Sequence, residues 1–193
     1  MSERKYIAVI GSRQLPAIYK IKIKQVIKCL LDKGYNIASG GAIGADNYAL
    51  GSLLELGAAP RGVIFSAWQH FSQFPSSVIS SVKGFSHLGG QVVWGDVPLC
   101  AERNQVVSGL LSRNIRLVSH AAGLVAFISS GSRGTIFTIK QAIQRKVPVV
   151  IFVCDSCGHL PKIETGSWQL LKTGGCWENG FKFTTQQVPV SVA

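Results

Sequence analysis

Three times in this chain a short, mostly apolar run of strand length stops at a small or glycine-rich turn and a helical pattern begins. Residues 6–10 (YIAVI) run into Gly11-Ser12-Arg13, and residues 35–38 run into Ser39-Gly40-Gly41-Ala42-Ile43-Gly44-Ala45-Asp46. Residues 123–128 (GLVAFI) run into Ser129-Ser130-Gly131-Ser132-Arg133-Gly134-Thr135. Contiguous apolar runs of this length are the pattern of parallel strands buried on both faces. Repeated strand–helix alternation then demands right-handed crossovers and a sheet covered by helices on both sides. The expectation is an α/β fold, a doubly wound, mainly parallel sheet. In such sheets ligands bind beyond the carboxyl ends of the strands, where all three turns fall. A turn that opens a helix exposes backbone N–H groups at the positive end of the helix dipole, which suits a phosphate. Three such turns suggest one shared site for a phosphate-bearing ligand.

The elements between the turns follow from spacing. A helix is expected from Pro16 to about Lys33, with Ile23, Val26, Ile27, Leu30 and Leu31 inward, Lys20, Lys24 and Lys28 on another face, and Gly34 as its stop. A second helix is expected over 47–56 and a third strand over 62–65. Residues 66–90 mix Trp68, Phe71, Phe74 and Phe85 with serines and glycines and read as a loop with a short helix. The aromatic residues there suit base stacking, and core packing explains their spacing equally simply. A strand follows over 91–94. Residues 101–113 read as a helix with Val106, Val107, Leu110 and Leu111 inward, and residues 114–120 as a connector or an extra strand. The last helix is expected over 138–146 and the last parallel strand over 147–153. The domain thus spans 1–153, and 154–193 is a C-terminal extension of irregular or β character, broken by glycines, Gln186-Gln187 and Pro189.

Charge narrows the partner. The 193 residues carry a net charge of +11, with 47% hydrophobic and 15% charged residues, a balance that excludes disorder. Residues 1–33 hold eight Lys and Arg against two acids, and residues 97–146 hold seven against one. Clustering of this kind favours an anionic partner, nucleic acid ahead of a membrane surface. The reading is a cytoplasmic protein, with neither a secretion signal nor an apolar run long enough to span a bilayer. Five cysteines without such a signal argue against a disulfide framework. Cys154, Cys157 and Cys176, with His159, are a conceivable zinc set, but no second paired motif completes it. Reduced, partly buried thiols are expected, with no metal and no cofactor.

The order of these motifs resembles the SLOG group of Rossmann-like domains, over residues 6–153. Gly11-Ser12-Arg13 resembles the GSR of the DprA (Smf) DNA-processing proteins. The turn 38–46 resembles their V-S-G-x-A-x-G-I-D, residues 103–111 (RNQVVSGLL) their R-N-R-I-I-S-G-L-S, and Ser130-Gly131-Ser132 their S-G-S. The turns 40–46 and 131–135 are also similar to the small YspA-like members. The DprA resemblance implies single-stranded DNA binding, a recombinase as partner and a dimer. It implies ligand or phosphate contacts from Gly11, Ser12, Arg13, Ser39, Gly40, Gly41, Ala42, Gly44, Asp46, Arg103, Asn104, Ser130, Gly131, Ser132, Arg133, Gly134 and Thr135. By chemistry Arg103 grips phosphate well, and an ion pair with Asp96 or Glu102 is the even alternative. Asp46 either binds a ribose hydroxyl or caps its helix. The LOG-type phosphoribohydrolases of the group share the G-x-x-G-T turn but carry a catalytic glutamate three residues after its threonine. That position is Thr138 here, which cannot act as a carboxylate. Binding is therefore expected rather than catalysis, with a nucleotide or nucleotide derivative as the alternative ligand.

Overall fold

The structure, a computed structural model, describes residues 5–129, 132–155 and 159–185. The expected residues Ser130, Gly131, Cys157, Gln186, Gln187 and Pro189 lie outside the described residues. The first two strands and helices are β1 (Tyr6–Gly11), α1 (Tyr19–Asp32), β2 (Asn36–Ser39) and α2 (Ala45–Glu55). Next come β3 (Gly62–Phe65), α3 (Ser76–His87), β4 (Gln91–Val93) and α4 (Arg103–His120). The chain continues through β5 (Ala121–Ile128), α5 (Arg133–Gln144) and β6 (Val149–Val153) to β7 (Gly166–Leu170) and β8 (Gly180–Thr185). The described strands form one sheet in the order β4-β3-β2-β1-β5-β6-β8-β7. Pairing is parallel from β4 to β6, and β8 and β7 extend that edge antiparallel.

Alternation along β1 divides the core into two layers. Ile7 and Val9 pack with α1, α2 and α3, and Ala8 and Ile10 pack with α4 and α5 on the opposite face. Ile23, Val26 and Ile27 of α1 are fully buried, each contributing roughly 1.5–3 kcal/mol of apolar burial. The strand order reverses between β1 and β5, so a crevice opens beyond their carboxyl ends. Among the described residues, no helix is long and apolar enough to cross a membrane.

Four elements differ from the sequence expectation. The stretch expected to be a loop with a short helix contains the twelve-residue α3, whose Val78, Val82 and Phe85 form a buried stripe that intervening serines obscure. Helix α5 starts at Arg133, five residues before the expected start at Thr138. Helix α2 starts at Ala45, which places Asp46 inside the first turn, with Gly44 rather than Asp46 at the cap. The largest difference is α4, which continues through 114–120 and buries Arg113, Leu117 and Val118. Its expected inward residues Val107 and Leu111 are 49% and 36% exposed. The reason is position: α4 meets the turns beyond the carboxyl ends of the strands at Arg113 and Asn114, and residues 103–112 before them are exposed or half-buried. Since α4 ends where β5 begins, its N-terminal half overhangs the carboxyl end of the sheet.

Candidate functional site

The three turns meet at the crevice, and they are held to each other before any ligand is considered. Ser12 N–H donates to Phe127 O at 2.9 Å, and Ala45 N–H donates to Ser12 O at 3.1 Å. Ser12 Oγ accepts from Ser129 N–H at 2.7 Å and also touches Ser132 Oγ, which in turn donates to Ser129 O at 2.6 Å. Gly44 has φ +77°, and a Cβ there would overlap the carbonyls of Ser12 and Arg13. Its backbone freedom thus lets the second turn lie against the first. Ser39 is buried, with its hydroxyl donating to Val9 O at 2.9 Å.

Beneath the second turn lies a buried ion pair. Arg113 Nη1 is 3.4 Å from Asp46 Oδ2, with only 6% and 4% of the two residues exposed. Asp46 Oδ2 also accepts from Ala42 N–H at 3.3 Å. Burial pushes the Asp46 carboxyl above its usual range, and the guanidinium and the Ala42 N–H act in the opposite direction. Burial likewise lowers Arg113, against the pull of Asp46. Nε of Arg113 is buried with no hydrogen-bond partner. Gly40 is needed here because a Cβ would occupy the place of Arg113 Nη1.

Together these parts enclose a cleft of about 620 Å³. Gly11, Ser12, Arg13 and Gln14 line it from the first turn, and Ala42, Ile43 and Asp46 from the second. Ser129, Ser132, Arg133, Gly134, Thr135 and Thr138 line it from the third. The overhanging half of α4 forms the remaining wall with Val107, Leu110, Leu111, Arg113 and Asn114. Of the expected contact residues, Ser39, Gly40, Gly41 and Gly44 are not on its surface; they pack the turns together. Arg103 and Asn104 are not there either. They stand two to three turns further along α4 on a separate groove.

Sequence reasoning passed over Arg113 and Asn114. The signal was available, since the dipeptide Arg-Asn occurs at both 103–104 and 113–114, ten residues apart. Only the second faces the three turns. Among the described residues the only carboxylate on the cleft is Asp46, already opposed by Arg113. Thr138 is buried and donates to Gly134 O at 2.8 Å, closing a bond inside its own helix. Arg13 and Arg133 are exposed on the rim. Ion pairs between described residues join Lys20 and Lys24 to Glu55, Lys28 to Asp32 and Arg113 to Asp46, and none uses Arg13, Arg103 or Arg133. The lysines of α1 are therefore partly spent, whereas Arg13 and Arg133 on the rim of the cleft are not.

The remaining sequence candidates lie elsewhere. Phe71 packs edge-on against Trp94 at 4.8 Å, and Phe74 is buried against the same ring. Cys154 is buried, its thiol donates to Phe152 O at 3.4 Å, and burial pushes it up to about 12. Cys176 lies beside Cys29 of α1. Among the described residues no three His, Cys, Asp or Glu side chains cluster in a way that would hold a metal.

Residues 1–177 match the family described as DNA recombination-mediator protein A. The chain belongs to that family. Among solved structures it is similar to DNA processing protein A from Helicobacter pylori, whose single-stranded DNA binding mode has been described. That likeness has a TM-score of 0.64 at 17% identity, over 79% of this chain and 67% of the other. It is also similar to DNA processing protein A from Streptococcus pneumoniae, with a TM-score of 0.61 at 19% identity over 80% and 52% of the two chains. A molybdenum cofactor binding protein from Rippkaea orientalis shares the fold at 13% identity, over 79% and 78% of the chains, with a TM-score of 0.56. No protein of curated function matches the chain by sequence. The chain thus spans about two thirds of the Helicobacter family member and about half of the Streptococcus one. At these identities the solved structures establish the doubly wound α/β fold, and membership of the family rests on the sequence match.

Proposed function

We propose that this protein binds single-stranded DNA in the cleft between its three turns and α4. The observation that carries the reading is the convergence of the exposed Arg13 and Arg133 on one cleft whose only carboxylate among the described residues, Asp46, is already opposed by Arg113. The rim guanidinium groups match phosphate oxygens in paired hydrogen bonds. Ile43, Leu110 and Leu111 supply an apolar wall against which a base lies flat, as single-strand binders provide. The net charge of +11 draws the strand in. Membership of the recombination-mediator family and the described DNA binding of the Helicobacter protein support the same reading. With it we carry over from the family resemblance a dimeric assembly, hand-over of the strand to a recombinase and a cytoplasmic location.

The test is fluorescence anisotropy with a labelled oligothymidylate at graded salt. Affinity should fall steeply as salt rises, because each neutralised phosphate releases counterions with a slope of about −0.7 per contact for a single strand. No binding at 20–50 mM salt (about the lower range in which such contacts are strongest) would refute the proposal. The cleft volume of about 620 Å³ also suits a single nucleotide, which makes a free nucleotide the second reading. Thermal shift against nucleoside monophosphates, with none for DNA, would favour it. Release of free base from those nucleotides is not expected, since Thr138 offers no carboxylate.

A further inference from the structure

Cys29 and Cys176 stand near opposite ends of the sequence and meet on the α1 side of the sheet, in the layer opposite α4. Cys29 lies two helical turns after Lys22 and one turn before Lys33, so these three side chains share a face of α1. That face meets the short helical turn Gly175–Trp177 between β7 and β8. Lys22 Nζ donates to Gly175 O at 3.3 Å and stands 5.3 Å from the centre of the Phe152 ring. Cys176 and Trp177 pack against the core layer to which Val26 and Leu30 of α1 belong. The Cys176 thiol is hydrogen-bonded to Cys29. Both residues are half-buried, open to a small solute, whereas Cys154 is buried. The sequence grouped Cys176 with Cys154, Cys157 and His159; the fold brings it to Cys29, which no motif singled out.

We propose that Cys29 and Cys176 form a redox modification site, a dithiol that a hydroperoxide converts to a disulfide clamping the β7–β8 extension to α1. Burial, then the hydrogen bond and charge of Cys29, push the Cys176 thiol up to about 11, and Lys33 acts in the opposite direction. Cys176 therefore keeps its proton and donates it to the hydrogen bond, which leaves Cys29 as the attacking sulfur. The Cys29 thiolate attacks one peroxide oxygen and the O–O bond breaks. The proton that Cys29 gave up ends on the leaving oxygen, and Cys29 becomes a sulfenic acid. The Cys176 sulfur then displaces hydroxide from Cys29 as the S–S bond forms, and the Cys176 proton leaves with that hydroxide as water. In sum the two thiols lose two hydrogens, and the hydroperoxide is reduced to an alcohol, or to water where it is hydrogen peroxide, with one further water formed. A zinc ion would need more ligands, and among the described residues no third His, Cys, Asp or Glu joins the pair. The inference is independent of the DNA reading, since neither cysteine lines the cleft.

The experiment treats the full chain with hydrogen peroxide, alkylates the remaining thiols and maps tryptic peptides by mass spectrometry without reduction. The peptides 29–33 and 173–182 should appear joined, lighter by two hydrogens than their sum, and dithiothreitol should separate them. The oxidised protein should melt roughly 5–10 °C higher than the reduced one, because a bond between such distant positions constrains the unfolded chain. Cys29→Ser should abolish that rise. Cys176→Ser lacks the resolving thiol and should hold a sulfenic acid on Cys29 that dimedone traps. If the two peptides stay separate at a peroxide dose that oxidises the exposed Cys100, the proposal is overturned. Joining of Cys176 to Cys100, Cys154 or Cys157 instead overturns it as well. A dimedone adduct on Cys176 in Cys29→Ser, with none on Cys29 in Cys176→Ser, overturns the order of attack. The wild-type peptide map decides the pairing without either variant.

Discussion

Replacing Arg113 with methionine tests whether the floor of the cleft is built as described. At 3.4 Å, the unit charges of Arg113 and Asp46 attract by about 5 kcal/mol at an effective dielectric of 20. Removing two ions from water costs several kcal/mol each. The two terms are comparable, and burial is the larger influence on both groups, raising Asp46 and lowering Arg113. The pair is thus close to neutral as a unit and costly to halve. Arg113→Met leaves a buried carboxylate unpaired and should lose about 3–5 kcal/mol at pH 7, read from urea midpoints at constant m-value. The double variant Asp46→Asn/Arg113→Met should recover most of that loss, because neither charge remains to be desolvated.

The pH dependence carries a sign. Asp46 titrates above its unfolded value, so its contribution to stability is full below the ordinary carboxylate range and is lost as pH rises through its raised value. Arg113 opposes that rise, so removing it pushes Asp46 higher still. The deficit of Arg113→Met should therefore shrink on acidification from pH 7 towards the ordinary carboxylate range, as Asp46 takes up a proton in the folded state. A loss below about 1 kcal/mol, outside the range for breaking a buried pair, would refute this reasoning. So would a deficit that does not change with pH.

Other outcomes follow from the same geometry. Arg13→Ala and Arg133→Ala, both exposed on the rim, should each reduce the salt slope of DNA binding by about 0.7 without moving the urea midpoint. Gly44→Ala should destabilise by roughly 1–3 kcal/mol, since it combines a φ of +77° with overlap of the Ser12 carbonyl, and a thermal midpoint equal to the wild type would contradict that. Ser12→Ala removes the acceptor for Ser129 N–H at 2.7 Å and should cost about 1–3 kcal/mol while loosening the third turn, seen as faster amide exchange at Ser129. Gly40→Ala should displace the Arg113 guanidinium and weaken DNA binding more than its loss of stability alone explains, measured with folded protein at low temperature.

The legible part of this chain was the part where one physical demand leaves one pattern. Strands buried on both faces must be apolar throughout, so β1, β5 and β6 stand out, and the turns after β1, β2 and β5 were found where they lie. Helix α3 was obscured because Val78, Val82 and Phe85 are separated by serines, which leave the helical stripe intact but dilute it. Helix α4 shows a different limit. The spacing of Val106, Val107, Leu110 and Leu111 reports an apolar stripe and says nothing about what covers it; only the position of the helix against the three turns shows that the stripe overhangs. Glycine has the same ambiguity. Gly40 and Gly44 do mark close approach, and the protein groups that approach them are Arg113 and the first turn. The arginine on the floor of the site was missed for a related reason. Two Arg-Asn dipeptides sit on one helix, and the family pattern selects the first, whereas three-dimensional position selects the second. A contact inferred from a motif holds only for the register in which the helix meets the turns, and here that register brings Arg113 onto the cleft and carries Arg103 about 15 Å beyond it.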